Sequence, residues 1–181
     1  MSFFKNIKTE NIELKLPFLK DDGFEIFMKR EDLIHPIISG NKFRKLKYNI
    51  EKFKKNKNST LITFGGAYSN HLLAVSYIAK IENINTIAFV RGDELGVLPL
   101  NSTLQRCFDN GMEFKFISRE KYRFRNDSDF LKNLSSKYNN AFIIPEGGTN
   151  DLGILGCEEI LTLRDKNFFD VICVPVGSGG T

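Results

Sequence analysis

Three cations, Lys42, Arg44 and Lys45, crowd the stretch Ser39-Gly40-Asn41-Lys42-Phe43-Arg44-Lys45-Leu46, where a long helix is expected to begin. Cations at a helix N-terminus oppose its dipole. The cluster therefore calls for a compensating anion, or for a lysine whose pKa is depressed. A nucleophilic lysine needs that depression, because only the neutral amine forms an imine. The plain alternative is a solvated basic turn, which composition alone favours. A second candidate is Gly65-Gly66-Ala67-Tyr68-Ser69-Asn70-His71, read as a strand-to-helix turn. Ser69 is well typed as a helix cap, and the free N–H groups of the same turn suit a carboxylate. Asn70 and His71 add an amide and an imidazole there. The third is Gly177-Ser178-Gly179-Gly180-Thr181. Glycines let a backbone approach a ligand, and their N–H groups can cradle a phosphate; a flexible tail is the alternative. The pattern is neither a P-loop nor Gly-x-Gly-x-x-Gly.

The elements that must position these groups alternate. Strands are expected at Glu25–Arg30, Thr60–Phe64, Thr86–Val90, Glu113–Ile117, Ala141–Ile144 and Val171–Val176. Helices are expected at Asn41–Lys54, from Ser69 to about Ile81, and at Asn101–Asn110, Asp127–Tyr138 and Gly153–Leu163. In the first helix Phe43, Leu46, Ile50 and Phe53 recur at spacings of three and four, which defines one apolar face. From Thr60 onward continuous apolar strands separated by amphipathic helices imply an α/β fold, a parallel sheet covered on both faces. Ligands of such sheets bind outside the carboxyl ends of the strands, which is where the glycine clusters fall. A strand that opens into a glycine loop normally feeds a helix, so the chain is expected to be the N-terminal part of a longer protein.

Bulk composition narrows the classes. The chain has 181 residues, is 41% hydrophobic and 27% charged, and carries a net charge of +4, an ordinary globular mixture. The basic excess is too small and too scattered for a nucleic-acid binder. Lys52–Lys57 reads as a solvated helix end. No signal peptide and no membrane-length apolar run is read, and a cytoplasmic location is expected. Cys107, Cys157 and Cys173 are widely spaced, with two histidines in the chain, so no zinc or other metal site is expected and the thiols are expected to be reduced. Cys157 and Cys173 read as core, and His35 as a loop residue.

Lys29-Arg30-Glu31-Asp32, Gly40-Asn41-Lys42-Phe43-Arg44-Lys45-Leu46, Ser69-Asn70-His71, Ile144-Pro145-Glu146-Gly147-Gly148-Thr149 and Gly177–Thr181, in this order, resemble one family. It is that of 1-aminocyclopropane-1-carboxylate deaminase and D-cysteine desulfhydrase, within the tryptophan-synthase-β-like (fold type II) pyridoxal-phosphate (PLP) enzymes. The resemblance runs from about residue 10 to the end. It implies that Lys42 carries pyridoxal 5'-phosphate as an aldimine and moves protons, and that Asn70 bonds the cofactor's ring oxygen. Ser69 would contact substrate as a catalytic residue, with the backbone of Ser69–His71 on its carboxylate. Gly177, Ser178, Gly179, Gly180 and Thr181 would bind phosphate together with Lys45, and Gly148 and Thr149 would lie near the substrate. The activity implied is conversion of D-cysteine to pyruvate, sulfide and ammonia, or of 1-aminocyclopropane-1-carboxylate to 2-oxobutanoate and ammonia. His71 after Ser-Asn resembles the desulfhydrase side.

The resemblance also implies three-layer parallel sheets with helices on both faces, and a homodimer. Its domain division would be residues 1–46 in a large PLP-binding domain, 47–160 as a small α/β domain, and 161–181 as the start of the remaining large domain. A further C-terminal half supplies the family's stacking aromatic and the group facing the pyridine nitrogen. The competing readings are a non-catalytic α/β domain that lacks part of the PLP site, and a nucleotide-binding α/β module, for which the acidic ribose ligand is missing.

Overall fold

The computed structural model describes residues 3–4, 7–16, 23–56, 60–177 and 179–181. Helix α1 spans Asn41–Lys55, and the strands and helices that follow are β3 Thr60–Gly65, α2 Asn70–Glu82, β4 Asn85–Arg91, α3 Ser102–Asp109 and β5 Met112–Ile117. After them come α4 Arg119–Tyr122, α5 Ser128–Lys137, β6 Phe142–Ile144, α6 Asp151–Glu158 and α7 Leu163–Phe168. The strands β3 to β6 form one sheet in the order β5-β4-β3-β6. Every pairing in it is parallel, with Leu61 opposite Thr86 and Phe142, and Thr86 opposite Met112. Ahead of α1, β1 (Asn11–Glu13) and β2 (Phe27–Lys29) form a separate antiparallel ribbon.

The two-residue repeat of a strand sends alternate side chains to opposite faces. Leu61, Ala88, Val90, Met112 and Ile144 pack with the apolar faces of α1, α2 and α3. Ile62, Phe64, Ile87 and Phe89 pack on the other side with Tyr122 and Leu134, from α4 and α5. The sheet is thus covered on both faces, as the sequence pattern requires. Side-chain oxygens cap α2, α3, α5 and α6, from Ser69, Asn101, Asp127 and Asn150.

Helix α6 lies against α1 at backbone distance. A Cβ at Gly156 would stand 2.0 Å from the Arg44 carbonyl oxygen, so only glycine permits this contact. The carboxylate of Glu31, in the 3-10 turn Glu31–Leu33, takes two hydrogen bonds from Arg44, at 2.8 and 2.9 Å. Asn49 exchanges amide hydrogen bonds with Asn150, at 3.1 and 2.9 Å. The first tie fixes the start of α1 to the turn that precedes it, and the second fixes the middle of α1 to the loop that follows β6.

One expected element is absent. Val171–Val176 is not a strand; the segment is exposed and pairs with no described strand. An apolar run supplies the residue types of a strand, but a strand exists only with a hydrogen-bonding neighbour, and none of the described strands reaches this segment. Cys173, expected in the core, is exposed with it, and Cys157 is half-buried. Glu25–Arg30 shortens to β2, and the helix expected at Gly153–Leu163 stops at Glu158, with α7 starting afresh from a capping box at Thr162 and Asp165.

Candidate functional site

The three cations of α1 meet three different environments. Arg44 is 4% exposed and takes Glu31 as its anion, so it is a paired structural charge. Lys42 is half-buried, and its Nζ donates to Asn41 Oδ1 at 3.0 Å. Burial, and next the positive charge of Lys45, push the Lys42 pKa below the ordinary lysine value. That is the depression an imine-forming amine requires. Lys45 is 1% exposed. Its ammonium has no carboxylate partner among the described residues, and the hydrogen bond to Thr149 Oγ1 is long, at 3.5 Å. Burial lowers its pKa also.

Lys42 faces an open cleft of about 600 Å³. Ser69, Asn70 and His71 line it from the start of α2, and Pro145, Glu146, Gly147 and Thr149 from the turn after β6. This is the carboxyl end of the parallel sheet. Ser69 caps α2 by accepting the Leu72 N–H at 3.3 Å, so its hydroxyl holds the turn that borders the cleft. His71 is buried, with Nε2 2.8 Å from Thr63 Oγ1. Burial first, then the charges of Lys42 and Lys45, bring its pKa down to about 3.

The glycine-rich segment returns to the same place. Thr181 Oγ1 accepts a hydrogen bond from Asn41 Nδ2 at 2.8 Å. Gly180 is buried against Thr149 and Lys45: a Cβ there would stand 2.6 Å from Thr149 Cγ2 and 3.0 Å from Lys45 Nζ. Around Gly177 and Gly179 there is open space, and Ser178 lies outside the described residues. A buried ammonium without a carboxylate, facing a glycine backbone and a threonine hydroxyl, is a donor set that fits a phosphate group. Gly148 is buried with φ +70°, next to His71 and the stem of Lys45.

The structure therefore brings Lys42, Lys45, Ser69, Asn70, His71, Gly148, Thr149, Gly180 and Thr181 together at one end of the sheet, whereas a side chain at Gly177 or Gly179 would meet open space. Three participants carried no assigned role. Asn41 links Lys42 to Thr181, although it stands inside the Gly-Asn-Lys motif. Arg125 lines the cleft and pairs with Glu146. Thr63 is an unremarkable strand residue until His71 folds against it. No spacing rule exposes the last two, because a strand and a helix bring them in from distant sequence.

Comparison with known proteins gives a consistent result. The model of the family described as "Pyridoxal-phosphate dependent enzyme" matches residues 8–181. A Thermotoga maritima protein provisionally named 1-aminocyclopropane-1-carboxylate deaminase is 37% identical over 166 residues, covering 88% of this chain and 52% of its own length. The Arabidopsis thaliana bifunctional D-cysteine desulfhydrase/1-aminocyclopropane-1-carboxylate deaminase, mitochondrial, is 32% identical over 177 residues, covering 88% and 44%. A crystal structure of an ACC deaminase homologue superposes with a TM-score of 0.75 at 25% identity, over 97% of this chain and 54% of the other. The chain spans about half the length of the curated relatives it matches.

Proposed function

The chain belongs to the pyridoxal-phosphate-dependent enzyme family, and from that premise we propose that it carries the lysine side of a deaminase or desulfhydrase site for a small amino acid. The observation that carries the proposal is that Lys42, with its lowered pKa, lines the cleft formed by Ser69–His71, Gly147 and Thr149, while Lys45, buried without a carboxylate partner among the described residues, reaches Thr149 at its edge. Lys42 holds the cofactor covalently through Nζ. Lys45 and the Gly177–Thr181 loop take the phosphate, with Ser178 included by the sequence motif alone. Asn70 bonds the ring oxygen.

When bound, pyridoxal phosphate supplies an electron sink that weakens the bonds to the α-carbon of an amino acid. The chain's own residues orient and protonate. The N–H groups at the start of α2 bind the substrate carboxylate, and the Ser69 hydroxyl contacts the substrate. Gly148 leaves room beside His71, and Thr149 lies next to the substrate. Because burial lowers its pKa, Lys42 Nζ exists as a free amine at lower pH than a surface lysine, and it can take and return a proton there.

The substrates that the resemblance points to are D-cysteine, which with water gives pyruvate, sulfide and ammonia, and 1-aminocyclopropane-1-carboxylate, which with water gives 2-oxobutanoate and ammonia. D-cysteine is favoured, on His71 after Ser69-Asn70. The proposed division is 1–46 and 161–181 in the large cofactor-binding domain and 47–160 in the small domain, with association as a homodimer. All three cysteines are unpaired, which suits a reducing compartment such as the cytoplasm. No helix among the described residues is long and apolar enough to cross a membrane. The test supplies the protein with PLP and each amino acid and measures sulfide and 2-oxo acid. Turnover of either that is abolished by Lys42→Ala supports the proposal. A folded, PLP-supplied protein that turns over neither contradicts it and leaves the non-catalytic α/β domain.

A further inference from the structure

Two buried side-chain atoms among the described residues have no hydrogen-bond partner, His71 Nδ1 and Tyr122 Oη. Tyr122 lies in the core on the far face of the sheet. His71 borders the cleft that contains Lys42. Its ring is oriented by its other nitrogen. Thr63 Oγ1 stands 2.8 Å from Nε2 and donates to the Ile144 carbonyl oxygen at 2.9 Å. A hydroxyl has one proton, and a carbonyl oxygen only accepts. Both contacts hold together only when Nε2 carries the ring proton and donates to Thr63. A neutral imidazole protonated at Nε2 leaves Nδ1 as a bare acceptor.

Gly148 lies along the Nδ1–Cε1 edge of the ring. A Cβ at Gly148 would stand 3.7 Å from Nδ1, 3.4 Å from Cε1 and 3.3 Å from Lys45 Cβ. Lys45 sends its ammonium away, toward Thr149 and Gly180. Lys42 shares the cleft with His71 and rests on Asn41 Oδ1, the side chain of its own neighbour. The positive charges of Lys42 and Lys45 both bear on the imidazole.

We infer that His71 is a positioning residue for Lys42: locked by Thr63 with its proton on Nε2, it offers Nδ1 as the second acceptor for the Lys42 amine, taken when that amine leaves Asn41. A lysine that must release a covalent partner and later reclaim it needs a defined place to wait, and a buried acceptor that does not itself titrate near neutral pH provides one. The functional consequence rests on the reading of Lys42 as the reactive lysine; the hydrogen bond does not.

The test is nitrogen NMR on histidine-labelled protein without cofactor. The chain has two histidines, and His35→Gln identifies the other. The expected His71 pattern is a protonated Nε2 and an unprotonated Nδ1 that does not titrate between about pH 6 and 8. Asn41→Ala should move the Nδ1 resonance toward the hydrogen-bonded range. Lys42→Met on that background should return it, and Lys45→Met should not. A protonated Nδ1, a titrating His71, or a resonance indifferent to Lys42 overturns the inference. With PLP added, His71→Phe should slow borohydride-trapped capture at Lys42 roughly ten-fold, while His71→Asn, which keeps an acceptor near Nδ1, stays within about three-fold of the parent. Equal rates in both variants count against the inference. If the parent captures no PLP, the proposed function fails and the resonance comparison still decides His71.

Discussion

Lys45→Met should make the protein more stable and worse at its task. Lys45 is 1% exposed, with a single long hydrogen bond at 3.5 Å to Thr149. Burying a charge without an ion-pair partner costs several kcal/mol, part of it relieved by the fall in pKa that burial causes. Methionine keeps an unbranched stem of similar volume without the charge. The expected gain is about 1–3 kcal/mol in unfolding free energy, by analogy with replacements of buried charges by apolar side chains. The same change removes one charge-assisted hydrogen bond to a phosphate, worth about 1.5–3 kcal/mol, which is roughly ten- to a hundred-fold in affinity. Urea unfolding without ligand measures the first effect, and calorimetric titration with PLP the second. A Lys45→Met variant that is less stable than the parent, or that binds PLP equally well, refutes the reading of Lys45 as an ammonium held ready for phosphate.

Glu31→Gln should cost about 1–3 kcal/mol in a urea melt, because it weakens both hydrogen bonds to the buried Arg44 guanidinium and leaves it only the longer 3.6 Å pair with Glu159. Gly156→Ala should destabilise by about 1–3 kcal/mol despite alanine's better helix propensity, since its Cβ would meet the Arg44 carbonyl at 2.0 Å; an unchanged melting temperature would show that α6 can shift away from α1. His71 has a folded-state pKa of about 3, against about 6.5 in an unfolded chain, so the unfolded chain takes up the proton first as pH falls. Its contribution is therefore intact above the unfolded value and is lost toward pH 3, at about 1.4 kcal/mol per unit. Denaturation curves of the parent and of His71→Phe should converge over this window, and a constant gap would contradict the burial of a neutral imidazole.

Much of this fold is legible because its signals are local. The spacing of Phe43, Leu46, Ile50 and Phe53 marks the buried face of α1, and all four are buried. The apolar runs at Thr60–Phe64 and Thr86–Val90 mark strands covered on both faces, and the cap at Ser69 stands where its residue type suggests. Short elements such as β1 and α4 carry too few residues for periodicity to register. Val171–Val176 shows the limit of composition: its residues are those of a strand, and its pairing depends on a neighbour elsewhere. At the site, the lysine cluster poses a recognisable electrostatic problem. Its three separate answers, an ion pair for Arg44, partial burial for Lys42 and full burial for Lys45, follow from the approach of Glu31, α6 and the Gly180 loop, which no local pattern encodes. The Thr63–His71 contact is hidden for the same reason.

The central claim is that Lys42 is the cofactor lysine. The most direct measurement is reduction of the PLP-treated protein with borohydride, followed by peptide mapping of the adduct. The account predicts a yellow protein whose absorbance is lost on reduction, with the adduct on Lys42 and none in Lys42→Ala. An adduct on Lys45 or another lysine with Lys42 unmodified, or no adduct in a folded protein, would contradict it.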